Sequence, residues 1–360
     1  MNNFQSIIIH WKFVVVVCLL VLGSEVVGRT ADLTLAKKRK KDEFYTQLVD
    51  IENELKHYRE HFKGKVVLCN CDDPRKSNFF KYFADNFEKL QLKRLIATCY
   101  KSQDVDLFSQ GDCERAICQI YEGDKNGNMT IDDDEVCVKE LKGDGDFRSA
   151  ECIEILKQAD IVVTNPPFSL FREYVAQLVK YDKKFLIIGN VNALTYKECF
   201  PLVKNGAMWL GASIHSGDRE FGVPDDYPLT AAGSRVDDNG HKYIRVKGVR
   251  WFTNLDYKMR HEKLPLYRKF ARGDYEWFDN YDAINVDKTC DIPIGYDGVM
   301  GVPITFMDKY CPEQFQIVGL VAGNIKGLAG IPSASGKDGP YIGGKLRYGR
   351  IFIRHRKPAR

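Results

Sequence analysis

The segment "KVVLCNCDDPRKSNFFKYFADNFEKLQLKRLIAT", residues 65–98, decides the fold. It begins with the apolar run Lys65–Cys69 and ends with a second apolar run, Arg94–Thr98. Between them, Ser77–Leu90 carries aromatic residues at helical spacing. The short runs predict buried strands and the middle segment predicts an amphipathic helix. A strand, a helix and a second strand form a β-α-β unit, which requires parallel strands and predicts an α/β fold.

The same alternation continues on both sides of this unit. Residues Glu43–Phe62 show apolar positions at helical spacing, and the run Ile161–Thr164 predicts another strand. Leu170–Leu178 then predicts a helix and Phe185–Gly189 a further strand. We therefore expect a doubly wound, mostly parallel sheet, which ends with a loose domain boundary near Leu255.

Two parts of the chain depart from this rhythm. Residues 111–146 are rich in Gly, Asp and Asn, with short apolar runs at Ala116–Tyr121 and Glu135–Leu141. This pattern predicts a hairpin inserted into the α/β core. From Trp209 onward, glycine and aromatic residues alternate with short apolar runs, which predicts a part of the chain rich in strands and turns.

Length and composition fit an intracellular enzyme. The chain has 360 residues, 44% of them hydrophobic, and a net charge of only +4, which by itself does not indicate nucleic acid. Its eleven cysteines are irregularly spaced without a CxxC motif, so we expect free thiols and no zinc site. The histidines show no metal-ligand spacing, and we predict no bound metal.

The N-terminal segment points elsewhere. Residues 1–28 contain the apolar run Phe13–Leu22, which resembles a signal peptide and is short for a membrane span. An upstream extension from a misplaced start codon is the alternative. Residues 29–41, with the basic run Lys37–Lys41, predict a linker. We expect a cytoplasmic protein, with secretion or anchoring as the minority possibility.

Two polar segments have alternative interpretations. Asp124–Glu135 places oxygen ligands as an EF-hand loop does, but Met129 stands where the sharp turn needs glycine, so a hairpin turn on Asn126-Gly127 is favoured. Residues 345–360 contain seven Lys or Arg and no acid. That stretch is either a solvated, frayed end or an arm that contacts phosphates.

The candidate catalytic segment is "ADIVVTNPPFSLF", Ala159–Phe171. The strand in it ends at the carboxyl edge of a parallel sheet, where open α/β folds bind ligands. Past that edge the missing N–H groups of Pro166 and Pro167 cost nothing, and the prolines stiffen the backbone. The side chain of Asn165 and the carbonyl of Pro166 then form two fixed acceptors, followed by the aromatic ring of Phe168.

This arrangement suits a flat ring that carries an amino group. The lone pair of an exocyclic amine is delocalised into the ring, so the amine is a poor nucleophile. Two acceptors on its hydrogens draw the nitrogen toward tetrahedral geometry and direct the lone pair at an electrophilic methyl group. Phe168 stacks on the base through its π-face. A base in a duplex reaches such a pocket only when it is flipped out of the stack.

The NPPF segment resembles the catalytic motif of S-adenosylmethionine-dependent amino-methyltransferases in its adenine-type form. The order of the cofactor loop, NPPF and a late motif is similar to the EcoRI-type adenine-specific modification methylase family, over residues 42–360. The resemblance implies a Rossmann-like class I methyltransferase core at residues 42–255. Residues 256–360 would then form the target-recognition, DNA-binding region.

The resemblance also implies a set of binding residues. The segment Asp42–Gln47 is similar to the one that lies against the methionine end of the cofactor, which implicates Tyr45 and Thr46. The loop after the first strand and the "GDGDFRS" turn of the chain match two further cofactor motifs. They implicate Asn70, Asp72, Asp73, Asp146 and Phe147.

The late motif matches Val249–Leu255. It implies that Trp251 or Phe252 forms a second wall of the base pocket and that Arg250 contacts DNA; one core and one surface aromatic is the alternative.

The cofactor loop departs from the family pattern. It contains no glycine, although family loops use glycine to bring the backbone close to the ligand. The second strand also lacks the acid that grips the ribose, so Asp72 or Asp73 either takes that role or only caps the helix at Ser77.

The sequence thus predicts an enzyme that transfers a methyl group from S-adenosylmethionine to N6 of adenine in double-stranded DNA, in a restriction-modification or host-protection context. No stable protein partner is implied. The alternatives are a methyltransferase for protein glutamine or RNA amines, and a DNA-binding protein whose cofactor site has decayed.

Overall fold

The computed structural model describes residues 44–100 and 115–356, except residues 129, 216, 224–226, 228, 230–232 and 324. The predicted N-terminal apolar segment and the basic linker lie outside the described residues, as do Asp42 and Glu43. From Phe44 onward the chain forms one compact unit. The division into a core and a recognition region at residue 255 stays a prediction.

The described residues contain six α-helices and twenty strands, several of the strands only two residues long. The helices are α1 (Leu48–Leu55), α2 (Asn78–Asp85), α3 (Phe87–Leu90), α4 (Ala150–Gln158), α5 (Phe171–Lys180) and α6 (Phe200–Lys204). The strands up to residue 253 are β1 (Tyr45–Thr46), β2 (Val66–Cys71), β3 (Arg94–Cys99), β4 (Ile117–Tyr121), β5 (Val136–Glu140), β6 (Ile161–Thr164), β7 (Lys184–Asn190), β8 (Trp209–Leu210), β9 (Asp218–Val223), β10 (Arg235–Val236), β11 (Lys242–Lys247) and β12 (Val249–Thr253). The later strands are β13 (Arg268–Lys269), β14 (Ala283–Asn285), β15 (Pro293–Ile294), β16 (Val299–Pro303), β17 (Phe315–Val321), β18 (Tyr341–Ile342), β19 (Lys345–Leu346) and β20 (Arg350–His355).

The largest sheet has eight strands in the order β5-β4-β3-β2-β6-β7-β12-β8. Its centre, β3-β2-β6-β7, is parallel throughout. The flanking pairs are antiparallel: β4 with β3, β5 with β4, and β12 with both β7 and β8. The prediction of a mostly parallel sheet is therefore corrected to a mixed sheet, because the sequence pattern does not reveal which neighbours the edge strands pair with.

Helices cover both faces of this sheet. Side chains alternate along each strand, so Val67 and Cys69 of β2 face a cluster with α1 and α2, while Val66 and Leu68 face a cluster with α4 and α5. The second cluster continues into the C-terminal part of the chain, where it includes Ile317 and Ile353. One core therefore spans the predicted boundary near Leu255.

The predicted central elements lie close to their expected positions. The strands Ile161–Thr164, Val66–Cys71 and Arg94–Cys99 match within two residues at each end. The helix expected over Ser77–Leu90 is divided at Asn86 into α2 and α3. The helix expected over Glu43–Phe62 is shorter, since only Leu48–Leu55 is α-helical, and Phe44 lies outside it.

The predicted inserted hairpin is formed by β4 and β5, which pair antiparallel at one edge of the large sheet. The loop between them is held by its own polar groups. The carboxylate of Asp132 accepts hydrogen bonds from the side chains of Asn126 and Asn128, both at 2.7 Å. The buried Glu135 accepts one from the backbone N–H of Lys125 at 2.7 Å. Strands, rather than the helices of an EF-hand, flank this turn.

From Arg350 to His355 the basic C-terminal stretch is neither a frayed end nor a free arm, whereas residues 345–348 before it are exposed. Residues Arg350–His355 form β20, which lies between β16 and β17 in a four-stranded sheet. Its apolar residues Ile351–Ile353 are buried, so the strand is part of a core. Arg350 is also buried, and it pairs with Asp287 at 2.9 Å.

The described cysteines, nine in number, are free thiols. Among the described residues, no group of histidine, cysteine and acidic side chains has the arrangement of a metal site. No helix in the described part of the chain combines the length and the apolar character needed to cross a membrane.

Candidate active site

The candidate site lies at the carboxyl edge of the large sheet, between β2 and β6. These two strands are parallel neighbours, and from them the chain continues in opposite directions, to β3 on one side and β7 on the other. A crevice forms where the strand order reverses in this way, and open α/β sheets bind ligands there. The two predicted motifs, the cofactor loop and NPPF, follow these two strands.

Asn165 is the first residue after β6, and it is 5% exposed. Its Nδ2 donates a hydrogen bond of 2.6 Å to the backbone carbonyl of Phe44. Since a carbonyl only accepts, this contact fixes which end of the amide is which. Oδ1 is buried and has no hydrogen-bond partner among the described residues. A buried acceptor left unpaired costs about 1–3 kcal/mol, so a group kept in this state calls for an explanation.

The prolines and Phe168 continue from Asn165 in the expected way. Pro166 is buried, and Pro167 has a backbone conformation of φ −53° and ψ 124°, which directs the chain into a 3₁₀ turn at Phe168–Leu170. The ring of Phe168 is half-buried and lies 5.9 Å from the ring of Phe44, edge to face. Phe44 also contacts Phe221 and Tyr227, with ring centroids 6.0 and 6.3 Å away. An aromatic cluster therefore surrounds the turn.

The end of β2 is held by Tyr174 of α5 and by Thr164 of β6. Asn70 is buried, and its Oδ1 accepts a hydrogen bond from the hydroxyl of Tyr174. Burial raises the pKa of Tyr174 well above its usual value, so the hydroxyl remains protonated and acts as the donor. The backbone carbonyl of Asn70 accepts from the hydroxyl of Thr164, which connects the end of β2 to the end of β6.

The loop after β2 reaches a left-handed conformation without a glycine. Cys71 has φ 82°, a region that residues with a Cβ rarely adopt. Asp73 then accepts hydrogen bonds from the backbone and guanidinium of Arg75, at 2.9–3.1 Å. Asp72 accepts from the hydroxyl of Ser77 at 3.3 Å, and Ser77 caps α2. Both acids therefore stabilise the loop, and a role for either in binding ribose stays a prediction.

A short strand crosses the crevice. Residues Phe44–Thr46 are held by the amide of Asn165 at one end and, at the other, by Nδ2 of Asn78, which donates to the carbonyl of Thr46 at 2.8 Å. The same strand, β1, pairs with β9. The hydroxyl of Thr46 is buried and has no partner among the described residues. Two buried oxygens without a partner among the described residues, on Thr46 and Asn165, thus lie on two segments that the hydrogen bond between Asn165 and Phe44 joins.

Asp146 and Phe147 lie beside the end of β3. The turn before them depends on Gly145, which has φ 78° and whose Cα approaches the carbonyl of Cys99 too closely for a side chain. The carboxylate of Asp146 pairs with Arg148 at 2.6 Å. Phe147 is buried and its ring lies 5.0 Å from that of Tyr174. The turn therefore reaches the same sheet edge, with Asp146 as its polar group and Phe147 as packing.

Arg250, Trp251 and Phe252 lie in the interior, which corrects the expectation of DNA contact. They belong to β12, which pairs with β7 on one side and β8 on the other, so neither of its edges is free. Trp251 and Phe252 are each 0% exposed and face opposite clusters. Arg250 forms a buried ion pair with Asp308 at 2.7 Å. The partners of β12 are set by the whole fold and are not visible in its local sequence. The local sequence alone therefore suggested exposure.

Four residues near the site were not predicted for it: Phe44, Asn78, Phe221 and Tyr227. Phe44 was assigned to a helix core, and the other three belong to no motif that the sequence analysis singled out. The resemblance of Asp42–Gln47 to a cofactor segment was the available signal for Phe44. Phe221 and Tyr227 are brought in by tertiary pairing, because β9 and the residues after it pack against β1 and Phe44. Asn78, at the start of α2, reaches β1 through its hydrogen bond to the carbonyl of Thr46.

Comparison with known proteins shows the family of this chain. A family model described as "Adenine-specific methyltransferase EcoRI" matches residues 32–356. The Type II methyltransferase M.EcoRI of Escherichia coli is 51% identical over 325 residues, covering 89% of this chain and 95% of the relative. No solved structure matched the chain.

Two further relatives come from mycoplasmas. The Type II methyltransferase M.MgeORF184P of Mycoplasma genitalium is 37% identical, over 89% of this chain and 97% of the relative. The Type II methyltransferase M.MpnI of Mycoplasma pneumoniae is 36% identical, again over 89% and 97%. Since the family model and these relatives span nearly the whole described chain, the protein belongs to the EcoRI family of adenine-specific DNA methyltransferases, enzymes that use S-adenosylmethionine.

Proposed function

We propose that the crevice between β2 and β6 holds an adenine extruded from double-stranded DNA, with Asn165, Pro166 and Phe168 as the groups that hold the base. The observation that carries this proposal is the buried, unpaired Oδ1 of Asn165, whose amide is fixed by the carbonyl of Phe44. An amino group of the base supplies the donor that this oxygen lacks. The fold is then that of a doubly wound, Rossmann-like class I methyltransferase.

The chain's own groups perform the positioning. Oδ1 of Asn165 and the carbonyl of Pro166 each accept one hydrogen of the N6 amino group, which localises the nitrogen lone pair. Phe168 stacks on the purine, and the cluster of Phe44, Phe221 and Tyr227 supports that ring from behind. Acceptors that are already oriented cost no reorganisation during the reaction, which is the main source of catalytic power in such sites.

S-adenosylmethionine supplies an electrophilic methyl group when it is bound. The residues that fit it are Tyr45 and Thr46 of β1, Asn70 at the end of β2, Asp72 and Asp73 in the loop, and Asp146 beside β3. Thr46 offers an unpaired hydroxyl, and Asn70, whose Oδ1 is engaged by Tyr174, offers its Nδ2 hydrogens. We propose the remaining contacts on the family resemblance.

The relatives favour DNA over the other substrates considered for this motif. All three are Type II methyltransferases, a name that fits a modification enzyme in a restriction-modification setting. Methylation of protein glutamine or RNA, and a decayed DNA-binding protein, lose their support at 51% identity to such an enzyme.

The test substitutes Asn165→Ala in the full chain and measures tritiated methyl transfer to DNA, RNA and protein in parallel. We expect DNA methylation to fall by about 10²- to 10³-fold, as when an oriented polar group is removed from other active sites. S-adenosylmethionine binding by calorimetry should persist, and the melting temperature should fall only slightly, because Asn165→Ala also leaves the carbonyl of Phe44 without its donor.

The matched control is Asn190→Ala, because Asn190 ends the neighbouring parallel strand, β7. Both ends of its amide are engaged, Nδ2 with the carbonyl of Lys247 at 2.9 Å and Oδ1 with the N–H of Asn192 at 3.0 Å. That variant should keep its methylation rate. Full activity in the Asn165 variant, or equal loss in both variants, contradicts the assigned role.

A further inference from the structure

The segment before β20 ends in a ribbon that projects from the C-terminal part. The ribbon, residues 339–349, consists of β18 and β19, which pair antiparallel through Tyr341–Leu346 and Ile342–Lys345. Its turn is Gly343-Gly344, with φ 57° and 73°, the two positive values that the tightest hairpin turns require. Six consecutive residues, 343–348, are exposed, whereas Ile342 before them is buried.

The ribbon is held at both its turn and its base. Asp279 accepts hydrogen bonds from the backbone N–H groups of Gly343 and Gly344, at 3.1 and 2.7 Å. Asn280, 1% exposed, donates from Nδ2 to the carbonyls of Lys337 and Gly339, at 2.9 and 2.8 Å. The ribbon therefore keeps one geometry although the side chains of Lys345–Tyr348 are exposed, so a partner that binds these side chains does not have to order the ribbon first.

The side chains that directly follow the turn are unusual for a solvent-exposed ribbon. Lys345, Leu346, Arg347 and Tyr348 follow one another, and Leu346 and Tyr348 are 51% and 88% exposed. Leu346 packs against Gly339 and Gly323, where a Cβ would lie within 2.3 and 3.1 Å of its methyl groups, so its position is set. Arg347 lies 3.5 Å from the carboxylate of Glu276, and both side chains are exposed. No contact among the described residues accounts for the exposed ring of Tyr348, and the two cations beside it suit an anionic partner.

We infer that this ribbon enters the major groove of the DNA substrate and reads bases of the recognition site there through Lys345, Leu346, Arg347 and Tyr348. A two-stranded ribbon fits the width of the major groove, in which Arg and Lys pair with guanine and apolar groups contact the thymine methyl. Contact with phosphates alone would need the cations and leave the leucine without a role. This inference rests on the proposed function for its partner, DNA, and goes beyond it in naming the reading element.

The experiment begins with the full-length enzyme and the adenines that it methylates, mapped by sequencing DNA from cells that express it. Lys345→Ala, Leu346→Ala, Arg347→Ala and Tyr348→Ala are then compared on a duplex with the mapped site and on duplexes with one substituted base pair. The matched controls are Val138→Ala and Lys139→Ala on β5, an exposed apolar and an exposed basic residue on the other hairpin of the chain.

We expect kcat/KM on the mapped site to fall at least about tenfold in the ribbon variants, with loss of discrimination at one or two base-pair positions. Lys345→Ala should also lower the salt dependence of DNA binding by about one unit of log–log slope if it meets a phosphate as well. S-adenosylmethionine binding and the melting temperature should match wild type, and the β5 variants should behave as wild type throughout.

Two results would overturn the inference. If all four ribbon variants prefer the mapped site over the substituted duplexes by a factor within twofold of wild type, the ribbon does not contribute to base recognition. Equal weakening on all duplexes would show that it contacts only the DNA backbone. Neither result affects the role of Asn165, since that role is tested by methylation at saturating DNA, and loss of methylation in Asn165→Ala leaves the discrimination of DNA binding intact.

Discussion

The loop after β2 and the segment before β20 reach fixed conformations by opposite means. Residues 72–77 contain no glycine, and the left-handed turn before them is taken by Cys71 at φ 82°. Residues 323–349 contain eight glycines, yet Asn280 and Asp279 hold the segment through its backbone. The comparison shows that glycine content alone predicts neither a close ligand approach nor a flexible loop, because the contacts from the surrounding structure decide both.

The ion pair that joins the large sheet, which carries the first region, to the C-terminal part, which carries the second, should show the largest effect. Arg250 of β12 and Asp308 of the C-terminal part form a bidentate ion pair, with both side chains 5% exposed. Arg250→Met leaves the carboxylate of Asp308 buried without its cation, so we expect the free energy of unfolding to fall by about 3–5 kcal/mol. Urea denaturation measures it.

The control for that variant is Arg250→Met combined with Asp308→Leu. It removes both charges and should recover most of the loss, since apolar replacement of a whole buried pair is often neutral. A single variant as stable as wild type would show that the two regions do not depend on this contact.

Removing the support of the glycine-rich segment should show the next largest effect. Asn280→Ala deprives the carbonyl of Gly339 of its donor, whereas the carbonyl of Lys337 keeps the hydroxyl of Ser333 at 2.7 Å, and we expect a loss of about 1–3 kcal/mol from one unpaired group. Thermal unfolding measures the loss, and proteolysis between residues 333 and 349 should become faster. The exposed Asn239→Ala is the control and should change neither; unchanged proteolysis in Asn280→Ala would mean that the glycines do not need this support.

The strain in the glycine-free loop is tested by two substitutions at one position. At an ordinary position Ala is more stable than Gly, but at a left-handed φ a Cβ costs about 1–2 kcal/mol. Cys71→Gly should therefore be more stable than Cys71→Ala by about 1 kcal/mol, measured by urea denaturation. At Gln91, which is also left-handed with φ 52°, the glycine variant should likewise be more stable than the alanine variant. If Cys71→Ala were more stable than Cys71→Gly, strain at residue 71 would be ruled out.

The smallest effect concerns His261, which lies shortly after β12, the last strand of the large sheet along the chain. His261 contacts Glu313 at 2.7 Å and Asp256 at 2.8 Å, and these hydrogen bonds, that to Glu313 first, raise its pKa. Its protonated form therefore stabilises the fold fully below the unfolded pKa of about 6.5, and the contribution disappears as the pH rises through the raised folded value.

For this exposed cluster we expect less than about 1 kcal/mol. His261→Gln should lower the melting temperature most near pH 6 and progressively less toward pH 9. His241→Gln, on an exposed turn, serves as the control. A difference that stays constant with pH would exclude protonation as the cause.

The central elements could be predicted because their signals are local. The strands Val66–Cys71 and Ile161–Thr164 are short apolar runs, and α2 begins at Ser77, a residue that caps helices well. The position of Asn165 at a sheet edge followed from the strand before it. The position of β12 could not be predicted in this way. Its composition is the same whether it lies between two other strands, as here, or at an exposed edge of the sheet.

By itself, the sequence determined the β-α-β core, the strand that leads into Asn-Pro-Pro-Phe and the family to which the chain belongs. Local periodicity and motif order carry that information. Only the tertiary structure decided that Trp251 and Phe252 are buried, that Arg350–His355 is an inner strand, and that Phe44 fixes the amide of Asn165. Each of these depends on residues far apart in the chain, because the pairing of strands and the partner of a buried polar atom are set by the whole fold.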